Sequence, residues 1–406
     1  MATLQIRNFG PIKDTGNLEI TSFLLIIGRQ SSGKSTFMKV LSYCRWVEKR
    51  IMLDSMDAWL LYTHNKRFVT ILKQFHRFDD SYFCDNTSIR YDGDCISISY
   101  SGIRNEAVIV KKDLLKEHSY NTKICYIPSE RNLVSAIRNI DKAYKSSEQD
   151  SLFNFIYEWD EARSEYSKEK PFPLSVTGGF KYMSLSGDDI IIRPDGTPTQ
   201  AYYASSGIQS AMPVDIMADY VTNLVGRTAS FSKHDLAKSV MEYVNMLNNQ
   251  NELDDITLKK VIRKLNYQSS QLFIEEPEQN LYPESQRMLM LSLISALNRS
   301  ISKGSEQSLM AITTHSPYIV STMNVLIRIS EALAERPDDD RIKGIIEPQY
   351  LLPLHKASAY FINAEGMFED ILDREVPMFV GNELDGVSDW VDDKIATLNK
   401  ILYGDE

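Results

Sequence analysis

The sequence predicts an α/β protein with a phosphate-binding loop near its amino terminus. Short apolar segments alternate with helical patterns at both ends of the chain, which favours a largely parallel sheet covered by helices. A Gly/Ser-rich loop separates an apolar strand, 23–27, from a helical pattern that continues through 37–47 at three- and four-residue spacing. A later apolar strand, 271–274, runs directly into adjacent carboxylates. These three observations define the expected core.

Composition excludes several classes of protein. The 406 residues are 43% apolar and 25% charged, as in an ordinary globular protein, and at ~150 residues per domain they suggest about two or three domains. The longest apolar runs have five residues, far fewer than the ~20 needed to cross a bilayer, and the first residues lack a signal-peptide pattern. Four cysteines without a C-x-x-C pair indicate reduced thiols. We therefore expect a cytoplasmic protein with no membrane partner.

Charge is unevenly distributed along the chain, whose net charge is −10. Residues 364–406 include twelve acidic and three basic residues, so the rest of the chain is nearly neutral. The stretch 110–145 carries eight Lys and Arg against four Asp and Glu. Because phosphate binding depends on the local field, this stretch leaves nucleic acid open as a partner, although a solvated basic face is the plainer interpretation.

Periodicity and turn residues predict the remaining elements. Strands are expected at 3–8, 18–20, 88–100, 124–127 and 309–313. Hairpins are expected around 92–93, around 187–188 and within 360–375. Helices are expected at 51–80, 130–170, 208–224, 233–265, 285–297, 317–330 and 387–402. The middle of the chain is therefore interpreted as insertions into the α/β core.

The strongest motif is the loop 28–36, which fits G-x-x-x-x-G-K-[ST] and has a strand before it and a helix after it. Its glycines let successive backbone N–H groups face phosphates, and the helix N-terminus adds partial positive charge. We expect Lys34 to reach the β- and γ-phosphates of ATP and the Ser35 hydroxyl to ligate Mg²⁺. The predicted nucleotide-binding residues are Gly28, Gln30, Ser31, Ser32, Gly33, Lys34, Ser35 and Thr36.

Polar residues follow two later core strands. Strand 271–274 leads to Glu275 and Glu276, whose side chains should point to different sides because side chains alternate along a strand. We assign Glu275 to the shell of Mg²⁺, and Glu276 to general base or water positioning. Strand 309–313 leads to His315, which can hydrogen-bond a γ-phosphate or the attacking water. Glu276 and His315 are the predicted catalytic residues.

Taken together, these motifs resemble those of ABC-type ATPases of the RecF and structural-maintenance-of-chromosomes (SMC) branch. Residues 204–210 are similar to the family signature LSGGQ, with Ser206, Gly207 and Gln209 in register. The acidic motif 275–283 resembles the EEPE-x-x-L-x-P form of the overcoming-lysogenization-defect (OLD) nucleases and of the stand-alone AAA-family ATPases of anti-phage systems. Residues 126–131 resemble the IPxER element of those stand-alone ATPases.

The resemblance covers the whole chain and implies a two-lobed ABC ATPase head in which nucleotide lies between two copies. The signature of one copy would then cap the γ-phosphate that the other copy holds. The implied division is a core lobe from 1–50 and 265–406 with β elements from about 88–127 and 175–195, helical insertions at 51–87 and 128–174, and a signature-bearing helical lobe at 200–264. Two departures are that Glu275 replaces an Asp of transporter members and that Ser205 replaces the signature Leu. The family's Gln loop has only two weak candidates, Gln74 and Gln149.

The function that the resemblance implies is ATP hydrolysis by a homodimer that forms around ATP-Mg²⁺. This dimer would control a separately encoded effector, a nuclease or toxin, in anti-phage defence. The alternative is a RecF-type head that binds DNA ends, for which charge reversal at Lys123, Arg131 and Arg138 is the test. A transporter ATPase is disfavoured because those heads are shorter and use D-E. OLD nucleases carry a Toprim domain with a catalytic Glu and a later D-x-D. Residues 364–366 are faintly similar to the start of that domain, but no D-x-D follows Glu365 here, so no nuclease activity is expected.

Overall fold

Strands and helices alternate along the described chain. The computed structural model describes residues 2–64, 66–112, 121–137, 150–227, 266–304, 307–381, 391 and 393–398. The strands are β1 (Ala2–Phe9), β2 (Ile12–Asp14), β3 (Leu18–Ile20), β4 (Phe23–Gly28), β5 (Ser88–Asp92), β6 (Ile96–Ser101), β7 (Glu106–Lys111), β8 (Asn121–Ile127), β9 (Phe172–Pro173), β10 (Lys181–Leu185), β11 (Asp188–Ile192), β12 (Pro198–Gln200), β13 (Tyr267–Glu275), β14 (Leu309–Thr314), β15 (Ala357–Ile362), β16 (Phe368–Asp370), β17 (Leu372–Asp373) and β18 (Met378–Phe379). The helices are α1 (Lys34–Thr63), α2 (Arg67–His76), α3 (Leu133–Ala136), α4 (Ser151–Arg163), α5 (Ser206–Asn223), α6 (Pro283–Lys303), α7 (Pro317–Glu335) and α8 (Asp340–Lys343).

A six-stranded sheet with the order β16-β15-β4-β14-β13-β8 forms the core. Its neighbouring strands are parallel except β15 and β16, which form the hairpin expected within 360–375. Parallel strands are usually covered on both faces, and every residue of β4, β8, β14 and β15 is buried. The predicted α/β class with a mixed sheet is confirmed. The carboxyl ends of β4, β14 and β13 meet at one edge, which is where open α/β sheets bind ligands.

Helix α1 packs between this sheet and a second, antiparallel sheet. The second sheet has the order β2-β1-β5-β6-β7, and β3 pairs with β1. Phe37 and Leu41 of α1 share a hydrophobic cluster with Leu4 of β1 and Ile26 of β4. The opposite face of the core sheet packs in a second cluster against α4, α5, α6 and α7 and against the small sheet β12-β11-β10-β9. The phosphate loop is therefore anchored between two hydrophobic layers.

Two core strands are longer than their apolar runs. The strand predicted at 124–127 starts at Asn121, and that at 271–274 starts at Tyr267. Most of the added residues are polar and buried, and some of their side chains bond one another: Thr122 Oγ1 lies 2.7 Å from Ser269 Oγ. Strand β7 was not predicted. Apolar residues occupy both of its faces, so its sequence lacks the alternation of apolar and polar residues by which a half-buried strand is recognised.

The predicted helices are confirmed in part. The expected helix 130–170 is divided into α3 and α4, and residues 138–149 between them lie outside the described residues. The expected helix 233–265, and with it most of the proposed lobe 200–264, also lies outside them. Of 387–402, residues 391 and 393–398 are described and helical. Within the described ranges, no helix is both long and apolar enough to cross a membrane.

Candidate active site

The loop between β4 and α1 is built for close approach of a ligand to the backbone. Ser31 has a φ of 59° and Gly33 a φ of 110°, both in the left-handed region. A Cβ at Gly33 would lie 2.8 Å from Ile12 Cγ1, so glycine is required there for space as well as conformation. Helix α1 starts at the next residue, and the N–H groups of its first turn have no intrahelical acceptor. The loop therefore presents donors suited to an anion.

Lys34 is buried and reaches back along this loop. Its Nζ donates to the carbonyl oxygens of Gly28 at 2.9 Å and Arg29 at 2.8 Å. Burial lowers the pKa of Lys34, and the neighbouring carboxylates Glu276, Glu278 and Glu275 act in the opposite direction. The Ser32 hydroxyl oxygen is buried without a hydrogen-bond partner in the described structure. A buried ammonium beside an unsatisfied hydroxyl and a helix N-terminus fits a nucleotide phosphate.

The other predicted loop residues differ in exposure. Gln30 and Ser31 are exposed at the tip of the loop, Ser35 is half-buried and Thr36 is buried. The assignment of Ser35 to a metal ion stays a prediction. Gly28 is also confined, since a Cβ there would lie 2.7 Å from Ser32 Oγ.

Glu275 and Glu276 point toward different neighbours of β13. The buried Glu275 carboxylate accepts hydrogen bonds from the Tyr126 hydroxyl of β8 and from the Ser129 N–H at 3.3 Å. Glu276 lies past the end of the strand, and its N–H donates to the carbonyl oxygen of Thr313 at 2.9 Å. Its backbone is left-handed, with a φ of 43°, so a backbone turn contributes to the separation as well as strand alternation. The role of Glu275 at Mg²⁺ stays a prediction.

Glu276 and His315 are in contact. Oε1 of Glu276 lies 3.1 Å from Nε2 of His315, and the two side chains are 25% and 32% exposed. This hydrogen bond lowers the pKa of Glu276 and raises the pKa of His315. The other ring nitrogen, Nδ1, is buried without a partner in the described structure. The pair thus combines a carboxylate whose pKa is lowered with an imidazole whose pKa is raised, each held in place by the other.

Glu278 is a residue of this site to which the sequence analysis gave no role. Its Oε1 accepts from the Thr314 hydroxyl at 2.6 Å and from the His315 N–H at 2.9 Å. Its Oε2 is buried with no partner among the described residues. The signal was present in the sequence, because Glu278 is the last Glu of the EEPE motif. Glu278 fixes the backbone from which the His315 side chain extends.

Arg131, in the IPxER element, is fully buried behind the strand end. Its guanidinium donates to the carbonyl oxygens of Glu275 and Glu276, both at 2.7 Å, and to that of Ser210 at 3.0 Å. Burial lowers the pKa of Arg131 to about 10, so it stays charged at neutral pH. The Arg131 side chain thus links the end of β13 to α5, the helix that begins with the signature residues.

This burial corrects the interpretation of the basic stretch 110–145. Arg131 is occupied by backbone carbonyls, and Lys123 is buried with its Nζ 3.1 Å from Glu158 Oε1. The inclusion of these two residues in a basic face that contacts nucleic acid was therefore wrong, because apolar and paired surroundings withdraw both charges from solvent. Arg138 lies outside the described residues.

The signature residues form the start of α5. Ser205 is the N-cap, and its side chain accepts from the Ile208 N–H at 3.5 Å, while Ser206 is exposed. Gln209 Nε2 donates to the carbonyl oxygens of residues 201 and 202, so this amide stabilises the turn before the helix. A Cβ at Gly207 would lie 3.0 Å from the carbonyl oxygen of Asn280, so α5 packs tightly on the loop after the EEPE motif. Nucleotide contacts of Ser206, Gly207 and Gln209 stay predictions.

Comparison with known proteins decides the family. Residues 104–320 match the model of the AAA ATPase domain, a match that spans more than half of the chain. The chain belongs to this family of AAA ATPases. This confirms the expected recognition as an ATP-binding ATPase. The anti-phage part of the resemblance stays a prediction, and among curated proteins none matches the sequence.

Several solved structures are distantly similar to this AAA ATPase. The SMC head domain from Thermotoga maritima is 10% identical with a TM-score of 0.34, over 79% of this chain and 90% of that chain. An Smc head domain with an extended coiled coil, bound to the C-terminal domain of ScpA from Pyrococcus furiosus, is 8% identical with a TM-score of 0.38, over 96% and 99%. A dimeric ATP-binding cassette bound to ADP and Pi is 11% identical with a TM-score of 0.28, over 90% and 98%.

Proposed function

We propose that this AAA ATPase dimerises around ATP-Mg²⁺, hydrolyses the ATP, and uses the cycle to control a separately encoded effector in anti-phage defence. One observation carries the ATPase mechanism: Lys34, Glu276 and His315 follow three adjacent parallel strands and lie at the same edge of the core sheet. An ammonium group that can bind phosphate, a carboxylate that can act as a base and an imidazole in contact with that carboxylate together support hydrolysis at this edge.

In this proposal, different residues of the site bind the phosphates, hold the metal ion and activate the water. Backbone N–H groups of the loop 28–36 and the Lys34 ammonium bind and orient the phosphates. Ser35 and Glu275 would hold Mg²⁺, which supplies charge neutralisation at the phosphate oxygens when bound. Glu276 accepts the proton of the attacking water, and His315 holds the Glu276 carboxylate in place while Glu278 holds His315.

Dimerisation is proposed because the tip of the phosphate loop, at Gln30 and Ser31, is exposed in one copy. The start of α5, where Ser206 is exposed and Gly207 is half-buried, offers a second set of helix N–H groups for an anion. Two copies related by a two-fold axis would exchange these helix ends and complete both sites at once, giving a self-complementary interface.

Light scattering of Glu276→Gln, with and without ATP-Mg²⁺, tests this proposal. The substitution keeps the shape of the side chain but removes the base, so bound ATP should persist and the mass should double when nucleotide is added. The double variant Lys34→Ala/Glu276→Gln is the control, and its mass should not respond to ATP. A Glu276→Gln protein that binds ATP and remains monomeric would contradict the sandwich.

The alternative, a DNA-end-binding head of the RecF type, gains no support from the described residues. Two of the three basic residues chosen for it, Lys123 and Arg131, are buried. The defence role is supported by the sequence resemblance of the EEPE and IPxER motifs. It is tested by asking whether Lys34→Ala abolishes protection against phage in cells that express the chain with the proteins encoded beside it.

A further inference from the structure

Arg131 is the largest side chain that is fully buried in the described structure. A buried guanidinium is costly unless all of its donors are satisfied. Here the partners are backbone carbonyls from three separate segments: Pro128 at 3.4 Å, the strand end at Glu275 and Glu276, and Ser210 in α5. Because a guanidinium is planar and rigid, one that binds several carbonyls fixes their relative positions.

One of these segments is strained. Glu276 has a φ of 43°, which non-glycine residues rarely adopt and which persists only when the surroundings enforce it. Arg131 binds the carbonyls of Glu275 and Glu276, on both sides of the Glu276 Cα, and the Thr313 carbonyl accepts from the Glu276 N–H. These contacts set the direction in which the Glu276 side chain leaves the backbone.

The Arg131 guanidinium also contacts α5, at a place where the backbone hydrogen bonding of this helix is interrupted. Pro213 lies inside α5 and has no N–H, so the carbonyl of Gln209 lacks its usual helical donor. That carbonyl accepts from the Ser135 hydroxyl at 3.3 Å, and the adjacent Ser210 carbonyl accepts from Arg131. Arg131 and Ser135 therefore hydrogen-bond the backbone of α5 about one turn after Ser206.

We propose that Arg131 is a positioning residue that couples the signature helix to Glu276. Displacement of the start of α5 would be passed through the guanidinium to the Glu276 backbone. This inference rests on the proposed function: if Ser206 of one copy caps the nucleotide of the other, then capping would align Glu276 in the copy that provides the cap. The two sites of a dimer would then hydrolyse ATP interdependently.

The test compares Arg131→Lys with Arg299→Lys. Lysine keeps the charge at position 131 but cannot bind the separate carbonyls together. Arg299 also contacts α5, through Asp219 at 2.8 Å and Thr222 at 3.0 Å, but near its far end. We expect Arg131→Lys to lower kcat by roughly 10- to 100-fold with KM for ATP within about 3-fold, because misplacing a catalytic group acts on the chemical step. The Hill coefficient for ATP should fall toward one. Arg299→Lys should change neither value.

Three outcomes would overturn the inference: unchanged kcat in Arg131→Lys, an equal loss in Arg299→Lys, or a loss of ATP affinity as large as the loss of turnover. If Arg131→Lys does not fold, amide hydrogen exchange of Ser206→Arg replaces it. In that protein, which cannot form the sandwich, ATP should still change the exchange of amides 207–211, and no change would overturn the coupling.

Turnover by two variants distinguishes the coupling from the proposed function. Normal turnover by Arg131→Lys, together with loss of turnover in Glu276→Gln, would contradict only the coupling through Arg131. Normal turnover by Glu276→Gln would contradict the proposed mechanism of hydrolysis.

Discussion

The Glu276 carboxylate is hydrogen-bonded to the His315 imidazole, with 3.1 Å between Oε1 and Nε2, although His315 lies 39 positions after Glu276 in the sequence. Each residue follows a core strand, and β13 and β14 are parallel neighbours in register from Gln271↔Leu309 to Glu275↔Thr313. The register places the two strand ends side by side. The contact between carboxylate and imidazole is therefore a direct product of sheet topology.

The Glu276–His315 contact should stabilise the fold most at mildly acid pH. The pKa of His315 is raised above its ordinary 6.5, so its contribution is complete below pH 6.5 and is lost as pH rises through the raised value. The pKa of Glu276 is lowered below its ordinary 4.5, so its contribution is present above pH 4.5 and is lost as pH falls through the lowered value. The loss of thermal stability in His315→Gln should therefore be largest between pH 4.5 and 6.5, and should become smaller as pH rises through the raised pKa of His315. A loss independent of pH would contradict the ion pair.

Lys34→Ala should abolish tight ATP binding. The substitution removes charge-assisted contacts to the phosphates, which at about 3 kcal/mol corresponds to roughly 100-fold in affinity. Fluorescence titration with a labelled ATP measures the change. Lys39→Ala, in the same helix, is the matched control and should bind as the parent does. Parental affinity in Lys34→Ala would mean that the loop 28–36 does not hold the nucleotide.

Ser206→Arg should stop ATP turnover while leaving ATP binding intact. Arginine at the exposed start of α5 would place bulk and charge against the nucleotide of the second copy. Steady-state hydrolysis and equilibrium binding, measured on the same preparation, separate the two effects. Ser164→Arg, at the exposed end of α4, should behave as the parent. Full turnover by Ser206→Arg, in a chain that stays monomeric, is incompatible with capping between copies.

Glu278→Ala should lower both stability and turnover. It leaves the fully buried Thr314 hydroxyl and the His315 N–H without their acceptor, at a cost of about 2 kcal/mol in the free energy of unfolding. Because His315 loses its backbone anchor, kcat should fall as well. Urea denaturation and ATPase assays measure these changes, and Glu284→Ala is the control, since the exposed Glu284–Arg287 pair contributes little. Parental kcat in Glu278→Ala would show that Glu278 does not position His315.

The purified chain should leave DNA and RNA intact in the presence of Mg²⁺ or Mn²⁺. Glu365, the residue that faintly matches the start of a Toprim domain, is exposed in the turn between β15 and β16, and its N–H donates to Asn363 Oδ1 at 3.0 Å. Gel assays of plasmid and RNA substrates check this expectation. Metal-dependent cleavage that disappears in Glu365→Gln would require a different function for the acidic end of the chain.

Local patterns in the sequence predict the main residues of the candidate site. The phosphate loop and the two glutamates come directly after short apolar runs, and His315 follows such a run after two threonines; such runs identify buried parallel strands. Because the carboxyl ends of parallel strands share an edge, this pattern predicts both the sheet and the place where the polar residues meet. The α/β class and the order of the motifs thus depend only on neighbouring residues.

Tertiary structure alone decided which charges are used inside the protein. Arg131 and Lys123 belong to a basic stretch in the sequence, but both are buried against partners from distant segments. Glu278 likewise acquires its role only through Thr314 and His315, on the next strand end. Composition records how many charges a segment carries, whereas burial depends on which remote backbone groups and side chains fold against them. A buried charge is tolerated only where such partners satisfy it, and folding determines where they lie.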